Sequence, residues 1–296
     1  MATYTLKSDK LTIAASTTGG ELKNLTAADG TEFLWQGSPD YWQKQAPNLF
    51  PFVGRLIDET YTCEQGNYRL PIHGFLPKTE MECDESLPNR LVFRLQDTPE
   101  TREMYPYAFL FRLIYSLEGD TLTITYQVEN TGDRALHFGL GGHPGFNIPL
   151  TAGLAYEDYH FELNGLAAGQ TPNRVLLSER CFLQDKTEPY PLETGDRIPL
   201  THNLFDEDAL VLQDMGTSIT LRSDRGTAMV HVEYPQMPYL GIWSKPRTDA
   251  PYVCIEPWAS LPASEGPTTV LEEKTDLIHL PAGETYENVW TITCRT

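Results

Sequence analysis

Apolar and polar residues alternate with period two over much of this chain. The longest case covers residues 109–130: Phe109, Phe111, Leu113 and Tyr115 alternate, Glu118-Gly119-Asp120 turns the chain, and Leu122, Ile124, Tyr126 and Val128 alternate on the way back. Strand side chains point to the two faces in turn, so this pattern predicts a long antiparallel hairpin with one buried face. Shorter runs bounded by turn residues predict strands at residues 11–15, 21–25, 91–95, 219–221, 228–234, 239–243 and 286–294. One stretch breaks the rule. Tyr252-Val253-Cys254-Ile255 is apolar or aromatic at every position, which predicts a strand buried on both faces. Glu256 falls at its end, and Pro257 is expected to stop the ladder directly after it.

Helices are few. Ser38-Pro39-Asp40 suits the cap of a single helical turn carrying Tyr41 and Trp42, and Asp97-Thr98-Pro99-Glu100 reads as a helix start that Pro106 soon ends. Residues 47–55 form an apolar loop with two prolines that regular sheet does not accommodate, while residues 151–200 are turn-rich and their strand signals weak. There is no internal repeat, low-complexity tract or linker. The expectation is one domain over residues 1–296, all-β with a few short helices.

Composition narrows the partners. A net charge of -19, from 41 acidic and 22 basic residues with no basic block, argues against nucleic acid and anionic membranes. Five scattered cysteines without a C-x-x-C pair read as reduced thiols. The first residues lack the apolar run of a signal peptide and no 18 consecutive residues are apolar, so the expected location is cytoplasmic. A chain of 296 residues buries roughly three quarters of its unfolded surface and needs no metal or disulfide for a core. Oligomeric state is not encoded in any of these features.

Several side chains carry candidate chemistry. A carboxylate at Glu256, between a buried strand and Trp258, would be partly desolvated, which makes it a better proton acceptor; the plainer reading is a strand-end glutamate paired with arginine or pointing into water. Residues 136–147 are glycine-rich but have neither the spacing of a dinucleotide fingerprint nor the lysine of a P-loop. Their glycines suit a strand bending at a cavity wall and bringing His143 to its mouth. His73, in an apolar loop beside Gly74, is either a structural histidine or a site group. Arg55 is a salt-bridge partner or a planar fork for sugar hydroxyls, and Trp243 a core residue or a flat face for a sugar ring. Of the acids before the strand predicted near residue 210, Asp208 could face inward.

Taken in order, Asn48-Leu49-Phe50-Pro51 through Gly54-Arg55, His73-Gly74-Phe75, His143-Pro144-Gly145-Phe146-Asn147 and Cys254-Ile255-Glu256-Pro257-Trp258 resemble the aldose 1-epimerases, the galactose mutarotase-like family, and within it the LacX-type branch. The resemblance spans nearly the whole chain. It implies a large antiparallel β-supersandwich with a small-molecule sugar in an open cleft, Glu256 as general base, His143 as general acid, and Arg55 and His73 as substrate-binding groups. The acid that holds the sugar falls near Asp208, where the local pattern departs from the better-known galactose mutarotases and Asp206 competes. Interconverting α and β anomers of an aldohexose needs a proton taken from O1 and one given to ring oxygen O5, tasks for a carboxylate and an imidazole. That chemistry demands no cofactor and no metal.

Four alternatives stand beside it. A hexose 6-phosphate substrate would want a cationic pocket, for which Lys245 and Arg247 are candidates. A glycosidase would pair Glu256 with Asp208 across a glycosidic oxygen. A non-catalytic carbohydrate-binding or sensor protein could dispense with the acid and base. A metal enzyme would use His73, His143 and Glu256 as a two-histidine, one-carboxylate set.

Overall fold

The predicted hairpin forms as Phe109–Glu118 and Thr121–Asn130, in register from Thr121 opposite Glu118 to Asn130 opposite Phe109. The structure is a computed structural model that describes residues 1–167, 169–192 and 195–296. Along the strand Thr121–Asn130 every second residue is buried, as one-faced burial requires. The hairpin lies inside a nine-stranded sheet. Arg90–Gln96 and Glu82–Leu87 follow on one side; Thr285–Arg295, Met229–Glu233, Ser218–Ser223, Tyr159–Asn164 and Arg197–Pro199 follow on the other.

A second, eight-stranded sheet runs in the order Leu183–Pro189, Asn173–Leu177, Leu210–Gln213, Tyr239–Trp243, Tyr252–Trp258, Gly141–Gly142 and Asn48–Leu49, with Gly145–Asn147 also paired to Tyr252–Trp258. Both sheets are antiparallel throughout. Phe111, Leu113 and Ile124 of the first and Leu240, Ile242, Val253 and Ile255 of the second belong to one buried cluster, which makes the fold a large antiparallel β-sandwich, as the resemblance implies. One α-helix occurs among the described residues, Pro99–Met104, capped by Thr98 as its sequence predicts.

Three expectations fail, each for a local reason. Residues 38–42 form a turn, because the Ser38 N–H donates to the Trp42 carbonyl, opposite in sense to the helical i to i−4 bond. Asn48–Leu49 is a short strand inside the apolar loop, held by Gly141–Gly142. Pro257 does not end its strand, which continues to Trp258. On one side the neighbours are two short pieces, Gly145–Asn147 opposite residues 252–254 and Gly141 opposite Trp258. Proline falls in the gap between them, where neither piece pairs with it.

Tyr252–Trp258 is buried at all seven positions, and its two faces differ. Val253 and Ile255 enter the main core. Tyr252 and Cys254 join Trp35 in an aromatic cluster with Tyr41, Trp42 and Trp243 against it, and Trp258 packs with Leu49, Val53 and Val211. Glu256, two residues from both Cys254 and Trp258, therefore faces this second, aromatic-lined side.

Candidate active site

A cavity of about 330 Å³ opens on that side of the sheet, and Glu256 and His143 line it with Arg55, His73, Asp208 and Trp243. All six sequence candidates thus share one concavity. Asp206 does not line it, and neither do Lys245 and Arg247; the Lys245 ammonium instead donates to the Asp40 carbonyl at 3.0 Å. Trp258, the neighbour expected beside Glu256, lines the cavity too, and so do Lys44, Trp42 and Cys181, which are not among the sequence candidates. Trp42 lies outside the four quoted motifs, and Cys181 sits in the weakly patterned middle of the chain, so neither carries a sequence signal.

His143 is positioned by broken strands. Gly141 and Gly142 pair with Leu49 and Asn48, and the His143 N–H donates to the Pro47 carbonyl at 3.0 Å. A side chain at Gly142 would meet the Trp290 ring at 2.5 Å, so glycine is required just where the strand brings His143 to the cavity. Asn48, fully buried, ties this segment to the long hairpin: its amide donates to the Gly19 carbonyl at 3.0 Å, and the Tyr126 hydroxyl donates to its Oδ1 at 2.8 Å. The His143 ring stacks on Trp42 at 4.8 Å and 21° and meets the Trp243 ring edge-on at 5.9 Å. Its Nε2 lies 3.2 Å from Glu256 Oε2, while its Nδ1 is buried without a hydrogen-bond partner.

The environment of the pair sets its protons. Burial pushes Glu256 well above the usual carboxylate range, and the charge of Asp208 adds to this. Burial likewise pushes His143 well below its ordinary value, with His73 and the Lys44 ammonium adding to it. Both shifts disfavour the charged forms, so the ion pair of a glutamate anion and an imidazolium is the state that a polar ligand has to favour.

His73 is held differently. It has a positive φ of 66°, its N–H donates to the Gly54 carbonyl at 2.9 Å, and the Gly54 N–H donates back to its Nδ1 at 3.2 Å. An Nδ1 that accepts leaves the proton on Nε2. Burial, then the Arg55 and Lys44 charges, push its pKa down to about 3, so His73 is a neutral donor at pH 7. Gly74 makes this loop possible: it has φ +74°, and a Cβ there would collide with the Phe50 carbonyl oxygen. Gly74→Ala is expected to destabilise the protein by about 1–3 kcal/mol, measured as a lower midpoint in urea; an unchanged midpoint would refute the close approach.

Asp208 also has a positive φ, 84°, a conformation that aspartate tolerates better than most residues. Its Oδ1 accepts from the Ala209 N–H at 2.8 Å and its Oδ2 from the Cys181 thiol at 2.9 Å. Burial, and then this carboxylate, push the thiol up to about 11, so Cys181 remains a donor. Among the described residues, the possible metal ligands brought within 4.8 Å of one another are His143, Cys254 and Glu256; His73 is not one of them, which alters the set expected from sequence.

The aldose 1-epimerase family model matches residues 2–293. The plasmid-encoded protein LacX of Lactococcus lactis subsp. lactis is 32% identical over 98% of this chain and 99% of its own length, as is its chromosomal counterpart. Among solved structures, the galactose mutarotase related enzyme of Lactobacillus acidophilus superposes with a TM-score of 0.94 at 33% identity, covering 100% of this chain and 98% of that one. A galactose mutarotase-like protein of Lactobacillus casei ATCC 334 gives 0.93 at 26% identity, covering 99% and 100%.

Proposed function

Because the chain belongs to the aldose 1-epimerase family, we propose that it interconverts the α and β anomers of an aldohexose by acid–base ring opening and reclosure, and that within the family it belongs with the LacX-type proteins. The observation that carries this reading is the 3.2 Å separation of His143 Nε2 and Glu256 Oε2 at a sugar-sized cavity. O1 and O5 of a pyranose are both bonded to C1. The groups that serve them must therefore stand within a few ångströms of each other, as these two do.

In the proposed mechanism the hydroxyls of the bound sugar solvate the charged form of the pair. Glu256 takes the O1 proton while the His143 imidazolium delivers its proton to O5, and the C1–O5 bond opens to the aldehyde. Rotation about C1–C2 presents the other carbonyl face, and the same two protons return. His73 donates through Nε2–H, Arg55 and Asp208 hold hydroxyls, and Trp243 with Trp42 offers flat apolar faces to the ring. The five free thiols suit a reducing, cytoplasmic setting, which is part of the same proposal.

One-dimensional NMR of anomer exchange, run on free aldohexoses and their 6-phosphates, tests the function; rates equal to the uncatalysed ones for every sugar would reject it. A 6-phosphate is the second reading, favoured by Lys44 and Arg55 at the cavity. The pair also predicts a pH profile. His143 is depressed, so a second proton binds only below its ordinary 6.5; Glu256 is elevated, so the last proton leaves well above 4.5. The expected kcat/KM falls on the acid side below 6.5, with an apparent value that belongs to the pair. An acid limb centred above 6.5 would contradict this assignment.

A further inference from the structure

A second cavity, of about 450 Å³, adjoins the first and shares Arg55, Ile72, Cys181 and Asp208 with it. The inner chamber alone lies near the low end of the ~300–1,000 Å³ typical of small-molecule sites, so a single hexose fills what it offers and the outer chamber is left over. Resting on the epimerase reading, we infer that the outer chamber is a second sugar subsite and that the preferred substrate is a neutral reducing disaccharide or longer oligosaccharide. Its reducing ring occupies the inner chamber and the next ring the outer one.

The placement follows from the chemistry of the inner ring. C1 has to meet Glu256 and His143 on the sheet, and in the inferred pose the ring edge farthest from C1 is set toward the shared residues Arg55, Ile72, Cys181 and Asp208. A glycosidic bond from that edge leads into the outer chamber. There the wall has the two textures of a pyranose. Ile72 is an exposed large apolar side chain, and the Arg180 guanidinium lies over the buried Phe182 ring at 5.1 Å from its centroid, so an apolar side chain and the outer face of a guanidinium are offered to a C–H face. Asp58, Glu59 and Glu179 supply acceptors to the hydroxyl rim, and Arg55 and Arg180 supply donors.

Charge selects a neutral occupant. Counting Asp208, four carboxylates face two guanidiniums around this chamber, in a protein of net charge -19. A phosphate on the far edge of the inner ring would meet that excess, whereas hydroxyls pair with both signs.

The test is saturation-transfer NMR on the wild-type protein with lactose, maltose and cellobiose, alongside anomer-exchange kinetics on these, on galactose and glucose, and on glucose 6-phosphate. Saturation is expected on protons of both rings. At least one disaccharide should exceed its reducing hexose in kcat/KM by about tenfold, the worth of one or two hydrogen bonds to charged groups. The double variant Glu179→Ala/Arg180→Ala should bring that ratio back toward one. Saturation confined to the reducing ring, a ratio unmoved by the double variant, or a preference for the 6-phosphate would overturn the subsite while leaving the epimerase reading standing. Two-ring saturation without exchange of any sugar would do the reverse.

Discussion

Glu256→Gln is expected to lower kcat for anomer exchange by about 10²–10⁴, the usual contribution of a positioned proton-transfer group, with little change in sugar binding. Glutamine has the same shape and keeps a polar contact for His143, but its amide cannot take the O1 proton. The folded protein should tolerate it well. Glu256 is 2% exposed and its folded pKa is raised above the ordinary 4.5, so this group withdraws stability as the pH climbs past that value; an uncharged replacement removes the effect. The measurement combines NMR exchange rates with a thermal melt and a sugar titration. Full turnover in a folded variant would eliminate Glu256 as the base.

The pair of Glu256 and His143 gains its electrostatic properties from the strand that carries the carboxyl. A strand buried on one face would have left Glu256 in water near its ordinary pKa. Here the core takes Val253 and Ile255, while the opposite face is closed by Trp35, Trp42, Tyr252 and Trp258, so the carboxyl enters a site with little water. Low polarity makes an unpaired charge expensive and a paired proton easy to move. The same aromatic layer that raises the carboxyl also supplies the stacking surface under His143. Packing and chemistry thus depend on the same residues, and substitutions at Trp42 act on both.

Much of this was legible in the sequence because it is written as local periodicity. The alternation through residues 109–130 fixes the central hairpin, and the unbroken apolar run at residues 252–255 marks the strand closed on both faces. The cavity residues Glu256, His143, His73, Arg55, Asp208 and Trp243 were found because each lies in or beside a strand or a glycine turn with its own signal. What stayed illegible depends on long-range contact. Asn173–Leu177 and Leu183–Pro189 form a sheet edge with mostly half-buried or exposed residues, so no alternation marks them. Cys181 reaches Asp208 only because the turn between those two strands ends at the cavity, and Pro257 sits within a strand only because its neighbour is interrupted there. The raised carboxyl of Glu256 agrees with the partial desolvation expected from its strand, whereas the depression of His143 by burial carries no local sequence signal.

His143→Gln is expected to lower kcat by a similar factor of about 10²–10⁴, and it separates the two partners more sharply than the first variant. Glutamine can still donate a hydrogen bond to O5, so the substrate is held, but it has no proton to surrender when the ring bond breaks. Glu256 then titrates without its imidazole, and burial with the Asp208 charge still holds it above 4.5. The acid limb that the wild type owes to protonation of His143 should be replaced by one that follows ionisation of Glu256, the only base left. NMR exchange rates across pH 4–9 read both the loss and the change of shape. If the variant keeps the wild-type acid limb, the titrating group on that side is not His143 and the pairing with Glu256 across the 3.2 Å contact has no part in the reaction.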